Sequence, residues 1–99
     1  MLNQNKLNTK LLSLLNNQII SRQYTVTPKS ATYYEEEVGI AVSGYKPISV
    51  GWSANQIGTN VYLLEFLDDS RLAIGRSNNN GGSLSASTVN LTVTYIKTY

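Results

Sequence analysis

The closing stretch TVNLTVTYIK (88–97) sets Val89, Leu91, Val93 and Tyr95 on one side and Asn90, Thr92 and Thr94 on the other. Strict alternation marks a strand with one face on a core, because successive side chains leave a strand on opposite sides. The same period of two recurs back to Arg22. Tyr24 and Val26 alternate with Gln23, Thr25 and Thr27 until Pro28 ends the run. In 33–42 one face carries Tyr34, Glu36, Val38, Ile40 and Val42, and the other carries Tyr33, Glu35, Glu37, Gly39 and Ala41. Ser43-Gly44-Tyr45 reads as a turn, after which Ile48, Val50 and Trp52 share one face and Pro47, Ser49, Gly51 and Ser53 the other.

Polar residues 53–60 form a loop, and the next strand, Val61 to Leu67, is apolar on both faces, which predicts that it is covered on both sides. Asp68-Asp69-Ser70 reads as a hairpin turn into 71–77, with Leu72 and Ile74 inward, and 78–83 (NNNGGS) as a long loop. Six such strands, with turn signals every ten or so residues, predict a mainly β fold: a small antiparallel β-sandwich, jelly-roll-like in kind.

The first twenty residues obey a different rule. They contain no Gly or Pro, and Leu7, Leu11, Leu14 and Leu15, with Ile19 one turn on, form an apolar stripe at helical spacing. Residues 1–21 are therefore expected to be an N-terminal α-helix, with 22–99 as the β domain. A lone helix cannot hide so wide a stripe, and the β domain leaves little surface to receive it. The expectation is a short coiled-coil stem gathering several chains. The same gathering would cover the second face of the doubly apolar strand, so Leu64 and Phe66 join Leu7, Leu11, Leu14, Leu15 and Ile19 as expected interface residues.

Lys6 and Lys10 ahead of leucines imitate a secretory signal, but the apolar block is short, contains Ser13, and runs into Asn16, Asn17 and Gln18 without a small-residue cleavage site. No apolar run approaches the length of about 20 residues that a membrane-spanning helix needs. Membrane insertion is not expected.

Composition narrows the chemistry. A chain of 99 residues has room for one domain with a modest core. It has no histidine and no cysteine, so the commonest general base, thiol nucleophiles and disulfides are all missing. A Ser43–Lys46 pair reads as a turn, and the scattered glycines make no phosphate loop. The net charge of +2 comes from dispersed basic residues, without the basic patch that nucleic-acid binding requires.

Glu35 and Glu37, about 6.5–7 Å apart on one strand face, could in principle work as a carboxylate pair or hold Ca²⁺. They read first as a charged outer face that discourages edge pairing. No enzymatic activity, metal or cofactor is expected. Binding remains, and its candidates lie in loops: Tyr45, Asn55 and Gln56 around the tryptophan strand, and Asn78, Asn79 and Asn80. Asn and Gln amides both donate and accept, which suits sugar hydroxyls. Trp52, sharing a face with Ile48 and Val50, is expected in the core.

The stretches VGIAVSGYKPISVGW (38–52), VYLLEF (61–66), RLAIGRSN (71–78) and TVNLTVTYIK (88–97) together resemble the C-terminal domains of bacteriophage tail-fibre, baseplate and receptor-binding proteins. The resemblance covers about 60 residues and lies in the order and spacing of several strands. It implies a homotrimeric tip on a helical or fibrous stem, exposed on the virion, meeting other virion proteins and in some members a bacterial surface glycan or protein. The matching residues Gly44, Tyr45, Pro47, Ile48, Gly51 and Trp52 look architectural, so the resemblance carries over no binding residues. The chain lacks the long particle-attachment region of such proteins. The resemblance therefore implies either a very small complete virion protein or a tip fragment.

Overall fold

The computed structural model describes residues 18–98. They form a mainly β fold of two antiparallel three-stranded sheets. The strands are β1 (Ile19–Val26), β2 (Tyr33–Gly39), β3 (Tyr45–Ala54), β4 (Thr59–Asp68), β5 (Arg71–Asn78) and β6 (Val89–Lys97). A single 3-10 turn at Leu84–Ala86 precedes β6. One sheet has the order β1-β6-β3, here sheet A, and the other β2-β5-β4, sheet B. Only β4 and β5 are joined as a hairpin, through Asp69 and Ser70. Every other connection crosses from one sheet to the other.

The expected strands are all present. The boundary at the amino side moves, because β1 begins at Ile19, where a helix to residue 21 was expected. Ile19 and Ile20 pair with Ile96 and Tyr95 of β6, so Ile19 is a strand residue and not a position on a helical stripe. No α-helical element occurs among the described residues. Leu7, Leu11, Leu14 and Leu15 lie outside them.

Alternation does its work best in the two central strands. In β6, Val89, Leu91, Val93 and Tyr95 are completely buried, and in β5 Leu72 and Ile74 are nearly so. With Val26 and Ile40 they make one apolar cluster to which both sheets contribute. Dehydrating each such side chain is worth roughly 1.5–3 kcal/mol, which explains why the rows lie on central rather than edge strands.

On the edge strands the register slips. Pro47 lies opposite Tyr95 and Ser49 opposite Thr94, so Ile48 is an extra residue in a β-bulge. A bulge reverses the phase of the residues beyond it. Pro47 is therefore buried, against the expectation that it faces away from the core, and Ile48 is 49% exposed. Val50 packs on the core, but Trp52, expected inside, is 42% exposed. Its register partner Leu91 is on the inner face, yet β3 is an edge strand and the indole has no strand beyond it for cover.

The doubly apolar strand is resolved in the same way. Bulges fall at Tyr62 and Leu67 in β4. Leu64 and Phe66 stand opposite Ile74 and Leu72 and pack against the core. Both face the core side of sheet B and stay half-buried. The outward apolar residues of β4 are Tyr62, Leu63 and Leu67. The Tyr62 ring lies over Gly75, where an added Cβ would stand 2.7 Å from it, and its hydroxyl donates to Glu35 Oε1 at 3.1 Å.

Tyr95 also carries a polar lock. Its hydroxyl, buried at the core edge, donates to the carbonyl of Ile40 at 2.6 Å and bonds to the Tyr24 hydroxyl, which reaches the same carbonyl at 3.3 Å. Burial, with the Tyr24 contact, pushes the Tyr95 phenol above its ordinary range. The bond ties the β2–β3 connection to sheet A. Tyr95→Phe is expected to lower unfolding free energy by about 1–2 kcal/mol in urea titration, with little change in the urea slope.

Candidate functional site

The chain's direction in the sheets places the β1–β2, β3–β4 and β5–β6 connections at one end. The other end holds the start of β1, the β2–β3 connection, the β4–β5 turn and the end of β6. The first end, opposite the amino terminus of the described residues, is the candidate site.

Its foundation is Arg76, which is 1% exposed on the inner face of β5. The guanidinium donates to the carbonyl of Ser87 at 3.1 Å and to the carbonyl of Thr27. One side chain of sheet B thus holds the segment leaving β1 and the segment entering β6. Burial pulls the Arg76 pKa below its ordinary value, and the charge of Glu36 opposes that shift. Glu36 faces inward, 3.7 Å from Lys29 Nζ, and Lys29 stands 5.0 Å from the centre of the Tyr34 ring.

Backbone bonds close the rest. Lys29 N–H donates to Leu84 O at 3.2 Å and Leu84 N–H to Ala31 O at 2.7 Å, so the first connection is stitched to the 3-10 turn, whose Leu84 is fully buried. Thr59 and Ser87 hydroxyls bond at 2.8 Å.

Five of the six expected ligand residues come together here. Asn55 N–H donates to Thr88 O at 3.2 Å while its Oδ1 accepts from Thr88 N–H at 2.7 Å. Asn78 uses both ends of its amide, accepting from Asn80 N–H at 2.9 Å and donating to Ser83 O at 3.2 Å. These two amides brace the loops. Asn79 and Asn80 are exposed, and Asn79 N–H donates to Gly58 O at 2.8 Å, joining the second and third connections. Gly58 has φ +94°, a turn shape that demands glycine, and its α-carbon lies close to the Asn80 side-chain amide. Gln56 Oε1 is buried with no hydrogen-bond partner among the described residues.

The sixth candidate, Tyr45, begins β3 at the far end, about 30 Å away along the strand at the usual rise per residue. It packs on the core.

Sequence reasoning missed three features. Ile57 is 93% exposed at the crest of the β3–β4 turn. An isoleucine between Gln56 and Gly58 in a polar loop was the available signal. Trp52, two residues before the end of β3, adds an exposed aromatic edge. Arg76 had no signal, since its burial depends on two segments distant in sequence.

Glu35 and Glu37 do share the outer face of sheet B, opposite Gly75 and Ala73. Each is engaged there: Glu35 accepts from Tyr62, and Glu37 pairs with Arg71 at 3.3 Å. Both are exposed on the outer face of the edge strand β2. Arg71 also pairs with Asp68 at 2.9 Å.

Compared with protein-family models, curated proteins and solved structures, the chain matches none of them.

Arg76→Leu leaves two carbonyls without their donor in a poorly hydrated place, and is expected to cost on the order of 2–4 kcal/mol in denaturant titration. Asp68 accepts from the Ser70 hydroxyl and N–H and from Arg71, which lowers its pKa from 3.8 to about 2. A depressed carboxylate pKa gives stability that is present above the unfolded value and lost as pH falls through the folded one. The thermal midpoint should therefore decline as pH falls from 3.8 to about 2, and Asp68→Asn should flatten that decline in pH-dependent calorimetry.

Proposed function

We propose that the chain is a non-enzymatic bacteriophage virion protein, a trimeric fibre-tip or receptor-binding module that recognises a bacterial surface glycan through its loop end. The observation that carries this reading is the position of that end. Three connections braced by Arg76, Asn55 and Asn78 lie opposite the amino terminus of β1, where a stem would join. Exposed there are amides that donate and accept, from Asn79 and Asn80, beside the apolar crest of Ile57. Such a surface suits an uncharged, hydroxyl-rich ligand: amides satisfy hydroxyls, and apolar groups or an indole edge cover the weakly polar face of a sugar ring.

The strand orders 1-6-3 and 2-5-4 support a small sandwich of jelly-roll type, since the β1·β6 and β2·β5 pairs are successive parts of one rolled ribbon. The stretches 38–52, 61–66, 71–78 and 88–97, which carry the resemblance to phage tip domains, contribute to all the strands except β1. The helical stem and its leucines belong to the same proposal.

A second reading is a structural virion component, in a head fibre, decoration or baseplate, whose trimer is its function. The engagement of Asn55 and Asn78 in the loops' own hydrogen bonds favours it, because those amides are not free for a ligand.

A glycan array probed with labelled full-length protein separates the two. The tip reading predicts consistent saccharide signals that fall about tenfold or more in Asn79→Ala/Asn80→Ala, with the thermal midpoint unchanged because these side chains are exposed, and that fall likewise in Trp52→Ala, whose half-covered indole also lowers the midpoint when removed. Absence of signals together with adsorption to purified capsids or tails would establish the second reading.

A further inference from the structure

The chain's six side-chain carboxylates are all on one sheet. Glu35, Glu36 and Glu37 lie on β2, Glu65 and Asp68 on β4, and Asp69 in the β4–β5 turn. Sheet A has none, and its strands carry Arg22, Lys46 and Lys97. By register Arg22 and Lys97 lie on the inner side, so the outer face of sheet A carries Lys46 alone, while that of sheet B carries Glu35, Glu37, Glu65 and Asp68 with Arg71. At the end where β1 starts, the outer face of sheet A sets Ile19, Ile96 and Lys46 side by side in register. Ile19 is 54% and Ile96 39% exposed, with the bulged Ile48 nearby at 49%. On the outer face of sheet B, Leu63, Glu65 and Leu67 run along β4, with Leu67 41% exposed. Neither Lys46 nor Glu65 makes an ion pair among the described residues.

The two rows match in size. Three neighbouring strands place Ile19 and Lys46 about 10 Å apart, and four strand residues place Leu63 and Leu67 about 13 Å apart. The first row has two exposed isoleucines and the second an exposed and a half-buried leucine, each with one charge outside any ion pair among the described residues, and the charges are opposite.

Strand edges, the other route to association, are obstructed. Glutamates crowd β2, a proline and a bulge interrupt β3, two bulges break β4, and Arg22 stands on the inner side of β1. These are the features by which sheets resist edge pairing. Contact between like faces is also disfavoured, since two copies of sheet B would oppose carboxylates.

We infer that neighbouring copies of this chain associate face to face, the Ile19–Ile96–Lys46 end of sheet A in one copy seating on the Leu63–Glu65–Leu67 row of sheet B in the next. The contact is heterologous, using two different patches of each copy, and such contacts close into a ring when the rotation allows. The inference rests on the oligomer proposed above and supplies its interface within the β domain. It also gives the outward residues of β4 the cover that the doubly apolar sequence requires.

Charge exchange tests it. Sedimentation velocity over a concentration series would compare the full-length chain with Lys46→Glu, with Glu65→Lys, and with the double variant. The wild type is expected to associate, each single variant to dissociate at about tenfold or more higher concentration, and the double variant to recover most of the loss. A folding defect does not produce such recovery, which keeps the result specific to the pair. Single variants that associate as the wild type does would overturn the face-to-face contact while leaving the oligomer intact. A wild type that stays a single chain throughout would overturn the oligomer and the contact together. Variants with unchanged association that no longer adsorb to virus particles would assign the two faces to a different virion protein and overturn the copy-to-copy contact.

Discussion

Two central strands must be dehydrated on the same side, and almost everything else in the fold accommodates that need. The inner row of β6 and the apolar part of the β5 row are fully or almost fully buried, and the described residues form no third layer to cover them. The sheets must therefore contribute to one shared core. Each central strand has a partner on both sides, so its backbone is hydrogen-bonded while its side chains are shielded. The edge strands carry the irregularities: three bulges, a proline and most of the exposed aliphatic residues. An irregularity there disturbs one ladder, whereas in β5 or β6 it would disturb two.

Polar groups finish what the apolar rows begin. At one end, the Tyr95 hydroxyl holds the Ile40 carbonyl, and at the other the Arg76 guanidinium holds the Thr27 and Ser87 carbonyls. Both act where the chain crosses between sheets, since backbone leaving a strand loses its ladder partners and must find others. A buried guanidinium is costly unless its donors are satisfied, so the loop end is tied to the core by the same requirement that keeps Arg76 bonded. This gives the loop end a firm base, from which Asn79, Asn80 and Ile57 project.

The outer faces obey different rules because water covers them. Sheet A presents mostly uncharged hydroxyl and amide side chains, and sheet B a row of carboxylates partly answered by Arg71. Neither pattern contributes much to the stability of one copy, since exposed ion pairs are worth little.

The amino-acid sequence by itself determined the six strands, the hairpin turn at Asp68-Asp69-Ser70, the one-faced alternation of the row from Val89 to Tyr95, and the absence of histidine and cysteine. These are local properties: alternation of polarity and turn preference act over a few residues and survive without knowledge of neighbours. Only the tertiary structure decided which strands lie at edges. That choice exposed Trp52, turned Leu64 and Phe66 inward, separated Tyr45 from the other candidate residues, and committed Asn55 and Asn78 to bracing. A β-bulge adds one residue and inverts the facing of every residue after it, so a period-two reading fails there. Whether a side chain is covered depends on strands far away in the chain, which no local pattern encodes.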